Sequence, residues 1–211
     1  MPTLFPAKSP MSRTTASLAV ALALAASQGA AAAIIAFTNE FVWNAFAASA
    51  DAQLWTETFD APGPDFPGPL CGSVGGVLWC ASASGGVCVS AGALRPCSPE
   101  PLTFTFSGAP VGGVAGNIFG TDGGLNVVPS IVQLSLQDGT SYIGFVDAAA
   151  AFVGFYSTGA AITGMTISAQ PLPGGTSVVY PTIDNLTFAV VPAPGAFALL
   201  GLSALACRRR R

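Results

Sequence analysis

Leu134-Ser135-Leu136-Gln137-Asp138-Gly139-Thr140-Ser141-Tyr142 sets alternating apolar and polar residues against an Asp-Gly pair. Side chains on a strand point alternately to opposite faces, and Asp-Gly is the strongest short signal for a tight reversal between two such strands. The stretch therefore predicts a β-hairpin with one face turned to a core.

The same period recurs on either side. Leu102, Phe104 and Phe106 share one face of a predicted strand, and Thr103 and Thr105 share the other. Further alternating, β-branched or aromatic segments run over 56–59, 77–81, 87–90, 114–119, 130–136, 142–146, 152–156, 162–169 and 182–190, separated by Gly, Pro, Asp-Gly and Ser clusters. Nine or ten strands at these intervals predict an all-β fold, an antiparallel β-sandwich of jelly-roll-like type. The 25 glycines and 17 prolines leave little room for helix. One short N-terminal helix is predicted over about 39–50, with Thr38 as cap, Glu40 favourable in the first turn, and Phe41, Ala45 and Ala48 or Ser49 on one face. Pro62, Pro64, Pro67 and Pro69 predict a loop over 61–69, where the missing N–H groups prevent regular pairing. Asp122-Gly123-Gly124 reads as a turn. Phenylalanine in nearly every predicted strand argues against a disordered stalk.

Charge is distributed unevenly. All ten acidic residues lie within 34–190, where Arg95 is the single basic residue, so the body is acidic although the whole chain is only −3. Nucleic acid is excluded as a partner, because backbone binding needs several Lys or Arg to displace counterions. Histidine is absent from the chain, which removes a Ser-His-Asp triad, a histidine zinc centre and an imidazole-activated thiolate. A two-carboxylate glycosidase survives that exclusion on paper. It lacks the surrounding cations and amides such a groove uses, so no enzyme activity is expected.

Cys71, Cys80, Cys88 and Cys97 fall in a Gly/Ser-rich stretch read as an insertion over 71–97. Spacings of nine, eight and nine, with no C-x-x-C pair and no histidine, favour two disulfides over zinc. Two pairings remain open. A local one matches the repeat Cys-x-Ser-x-Gly-x-x-x-x-Cys. A nested one would follow from a hairpin turning at 84–86.

The two ends carry addresses. Lys8 and Arg13 precede an apolar segment over 18–26 and small residues to Ala33, the layout of a secretory signal peptide over 1–33, starting at Met1 or Met11. At the other end, an uncharged run over 189–207 is followed by Arg208, Arg209, Arg210 and Arg211. About twelve of those apolar residues are comfortably helical, a reach of about 18 Å against a hydrocarbon core of about 30 Å. Such a short transmembrane helix suits transient residence in the inner membrane, with the arginines held in the cytoplasm.

This tail, 191–211, resembles the PEP-CTERM sorting signal of exported Gram-negative bacterial proteins, which exosortases process. Val191, Pro192, Pro194 and Gly195 stand before the apolar helix and the four arginines carry its end, while Ala193 stands where the family has Glu and Cys207 is an addition. The body is similar to the β-sandwich domain that often precedes such signals, through Glu57-Thr58-Phe59-Asp60, Phe152-Val153-Gly154-Phe155-Tyr156-Ser157 and Thr182-Ile183-Asp184-Asn185-Leu186-Thr187-Phe188. The resemblance implies a non-catalytic protein of the cell surface or exopolysaccharide matrix. Its implied partners are an exosortase-type protease, the membrane in passing, and extracellular polysaccharide.

The residue pattern adds two further expectations. If the first and last strands lie side by side, Glu57, Asp60, Asp184 and Asn185 form an all-oxygen set suited to a structural calcium ion. If Trp43, Trp55, Trp79, Tyr142, Tyr156 and Tyr180 form an exposed platform, the body is a carbohydrate-binding module; if they are core, it is not.

Overall fold

A computed structural model of the chain describes residues 33–60, 65–149 and 151–191. Residues 1–32 of the expected leader and all of the sorting signal after Val191 lie outside the described residues. Among the described residues no helix is long and apolar enough to cross a membrane.

The described elements are β1 (Ile34–Phe37), α1 (Glu40–Ser49), β2 (Gln53–Glu57), β3 (Asp65–Phe66), β4 (Leu70–Val74), β5 (Val77–Ser82), β6 (Val87–Ser90) and β7 (Ala93–Pro96). They continue with β8 (Leu102–Gly108), β9 (Val111–Thr121), β10 (Ser130–Leu136), β11 (Ser141–Val146), β12 (Phe152–Ser157), β13 (Gly164–Pro171) and β14 (Tyr180–Val190). All pairings are antiparallel. One sheet has the order β1-β12-β9-β14-β7-β6-β3, with β2 also on β14; the other has the order β11-β10-β13-β8-β5-β4. The two-sheet antiparallel architecture is the expected one, with more strands than the nine or ten read from the sequence. Asp65 and Phe66, placed in the proline loop by the sequence, pair with Cys88 and Val87.

The core lies between the sheets. Leu102, Phe104 and Phe106 of β8 enter it from one sheet, and Val114, Ile118, Ile183, Leu186 and Phe188 from the other. The deciding hairpin forms as expected: Leu134 pairs with Tyr142, Gly139 takes φ +90°, its N–H donates to the Leu136 carbonyl at 3.1 Å, and the Leu136 N–H donates to the Thr140 carbonyl at 2.8 Å. That pattern is a three-residue reversal ending in a left-handed glycine.

β9 and β14 are buried on both faces because α1 covers the outer side of their sheet. Small residues make the approach possible. Ala115 lies under the helix, and a side chain on Gly154 would come within 2.9 Å of both Ala115 and Trp43. The Trp43 indole N–H donates to the Phe155 carbonyl at 3.2 Å, which fixes the helix on the sheet. Two details of α1 differ from expectation. Asn39, not Thr38, is the N-cap, its side chain accepting from the Val42 N–H at 3.1 Å. The buried face carries Trp43 and Ala47, whereas Phe41 is 80% exposed. The indole finds a buried partner on the sheet and the Phe41 ring does not.

The disulfides pair locally, Cys71 with Cys80 and Cys88 with Cys97. The nested alternative fails because the chain reverses twice, at Gly75-Gly76 and Ala91-Gly92, giving two hairpins that join different sheets. The segment 71–97 is therefore no appendage. Val77, Trp79, Ala81, Val87, Val89 and Leu94 place it in the shared core.

Candidate functional site

The acids singled out in the sequence gather where β14 changes neighbours. Along one edge, β14 pairs with β7 at Ile183 and Asp184 and then with β2 from Leu186 to Val190. Between the two lies a bulge, with Asn185 at φ +53° and a register shift between Asp184 and Thr187 against β9. An asparagine tolerates the left-handed region better than most residues, so Asn185 serves as the joint. Its Asn-Leu-Thr triplet is strand backbone.

The segment bearing Glu57 thus lies directly beside the last strand. Glu57 itself turns to other work. One carboxylate oxygen accepts from the Phe59 N–H at 3.1 Å and the other from the Trp79 indole N–H at 3.2 Å. Phe59, at φ +54°, packs edge-on against Trp79 with ring centroids 5.6 Å apart. That turn carries Asp60 outward, where it accepts from the Thr58 hydroxyl at 2.6 Å. Asp184 lines a small cavity of about 200 Å³ with Ser90, Thr121 and Thr182. Burial raises its pKa above the ordinary carboxylate value, the Asn185 N–H partly opposes this, and the charge of Asp60 adds to the rise.

Asp184 therefore lies within reach of the charge of Asp60, while Glu57 is drawn toward the core. Among the described residues, the ligand atoms of three or more His, Cys, Asp or Glu side chains converge only at Asp65, Cys88 and Cys97, and those two sulfurs are bonded to each other. Arg95, the body's one base, is committed elsewhere: it donates to the carbonyls of Asp122 and Gly123 at 3.0 and 3.2 Å and lies 4.7 Å over the Tyr180 ring.

The aromatic residues separate clearly. Trp43, Trp79 and Tyr156 are buried, Tyr142 and Tyr180 are half-buried, and Trp55 is 42% exposed and lies across Gly75. No flat cluster of exposed Trp or Tyr flanks Asp60 and Asp184 among the described residues.

One feature has no sequence signal. A groove of about 560 Å³ runs between the C-terminal end of α1 and the chain at Gly112, Tyr156–Gly159 and Val191. The Tyr156 hydroxyl is buried beside it without a hydrogen-bond partner among the described residues, and its pKa is raised by burial. The sequence offered Tyr156 as core or as part of an exposed aromatic platform, and neither reading points to a groove.

Comparison with protein-family models, curated proteins and solved structures finds no match to this chain.

Proposed function

We propose that the chain is an exported, non-catalytic component of a bacterial cell surface or exopolysaccharide matrix, delivered by a signal peptide over 1–33 and sorted through its 191–211 tail. The observation that carries this reading is the pair of disulfides, Cys71–Cys80 and Cys88–Cys97, in a body with ten acids and one base. Such bonds persist in oxidising compartments outside the cytoplasm. The charged termini and apolar runs supply a route there. A core that absorbs most of the large aromatics supports a role for the folded body itself over sugar stacking at a cleft.

The test is surface shaving of host cells expressing the wild type and a variant with Arg208–Arg211 replaced by alanine. Wild type is expected to be digested from outside and to lack its arginine terminus, and the variant to be retained or misplaced. Wild type that resists external protease, or surface protein still ending in arginines, overturns the sorting reading.

A calcium-stabilised body is a second reading, favoured by the repulsion between Asp60 and Asp184 that a divalent cation would offset. It predicts a rise in Tm with millimolar calcium that Asp184→Asn abolishes.

A further inference from the structure

The six strands of the sheet β11-β10-β13-β8-β5-β4 contain no Asp, Glu, Lys or Arg. Its outward face carries Gln133, Ser135, Thr166, Ser168, Thr103 and Thr105 in adjoining registers, together with Ile131 and the exposed Leu78 of β5. At one edge, β4 is latched to β5 by Cys71–Cys80 and neighbours β2, whose Trp55 covers the Gly75 turn. The other edge is β11. Among the described residues it has β10 on one side and no strand on the other, and it exposes Ile143 (63%) and Phe145 (58%) on the outward face.

Edge strands in soluble proteins are usually blunted by lysine, proline, inward charge, a bulge or very short length, because unpaired N–H and C=O groups template further pairing. β11, Ser141-Tyr142-Ile143-Gly144-Phe145-Val146, is six residues long and shows none of these devices.

We propose that β11 pairs with β11 of a second copy of this chain, antiparallel and about a two-fold axis, to form one continuous twelve-stranded sheet. The sequence of the strand selects the register. Paired residues in an antiparallel ladder point to the same face, so the two-fold must keep odd residues opposite odd ones. With Gly144 opposite Gly144, Ile143 of each copy meets Phe145 of the other, giving two aromatic–β-branched pairs of the kind that stabilises sheets. Tyr142 then meets Val146 on the inner face, where each Tyr142 ring already lies against its own Gly144.

β11 itself carries no charge, which lowers the repulsion between two acidic bodies along this seam. Asp147, just beyond the strand, falls opposite Ser141, and Asp138 in the hairpin turn and Glu40, which lines a cavity with Phe145 and Val146, are the other acids beside it. The two Asp147 residues would be six residues apart along the ladder, roughly 20 Å, well beyond the ~8 Å screening length at physiological salt.

Sedimentation velocity of the full chain with its disulfides intact tests this, because comparing variants isolates β11 from association through other segments. Wild type is expected to show a concentration-dependent dimer. Ile143→Lys and Phe145→Glu each weaken it by about tenfold or more, since the two-fold applies each change twice. Mixing the two variants restores a heterodimer, because one seam position then pairs Lys with Glu and the other keeps Phe with Ile. Unchanged near-ultraviolet circular dichroism certifies that the variants are folded. A wild type that stays monomeric, or a dimer that both single variants leave intact, overturns the proposal. Two weakened variants that fail to recombine overturn the register that defines it.

Discussion

The Glu57 carboxylate accepts from donors on two elements, the Phe59 N–H beyond β2 and the indole of Trp79 on β5, and so bolts one sheet to the other. Glu57→Ala would leave a buried indole N–H without a partner. The expected loss is about 1–3 kcal/mol, read as a lowered midpoint in urea with an unchanged slope. Asp184 has the opposite character. Its raised pKa means the folded state disfavours its charge, so its penalty is fully present above the raised value and is relieved as pH falls toward the unfolded value near 3.8. Asp184→Asn is expected to raise Tm slightly at pH 7 in the absence of calcium, with the gain shrinking toward pH 4. Glu100 is the reverse case: the hydroxyl of Ser84 and the N–H of Gly85 hold its pKa below 4.5. The stability it supplies is present above 4.5 and is lost as pH falls through the lowered value. Glu100→Ala should therefore lower Tm at neutral pH and converge on wild type in acid. The sequence placed Glu57 and Asp60 near the last strand, but it could not show which would turn inward, because that depends on the left-handed turn at Phe59.

Hairpins are the elements the residues announced best. Asp138-Gly139 and the alternation through β8 and β10 gave the hairpin and its faces from local chemistry alone, while the register follows from the three-residue reversal over 137–139. Short strands without that alternation, such as Ala93–Pro96 and Leu70–Val74, were hidden because cross-strand partners hold them in place. For α1 the sequence offered competing apolar stripes at the same spacing, and the small residues of the sheet beneath chose Trp43 and Ala47. The disulfides give a direct check at this scale. Cutting once within Ala83–Gly86, at the passage between the sheets, should leave Cys71–Cys80 and Cys88–Cys97 on fragments that separate from each other after denaturation without reduction. Fragments that stay joined until a reductant is added would restore the nested pairing. Removing either bridge is expected to cost about 2–3 kcal/mol, as for a ten-residue loop in the chain-entropy description.

Taken whole, the molecule keeps its acids off one entire sheet and its large aromatics mostly inside, and it staples a hairpin of each sheet with a disulfide. These properties suit a durable part exposed to an oxidising exterior. The proposed destination rests on the sequence of the two ends, which lie outside the described residues, and the body's architecture does not by itself declare it. Export predicts trimming at both ends and closure of both disulfides, and intact-mass measurement of the protein from its native host, before and after reduction, reads all of these together. The predicted species lacks about thirty-three N-terminal residues, ends near Pro192–Gly195, and gains about 4 Da on reduction as two disulfides become four thiols. A full-length species that retains Arg211 and shows no mass gain on reduction would contradict it.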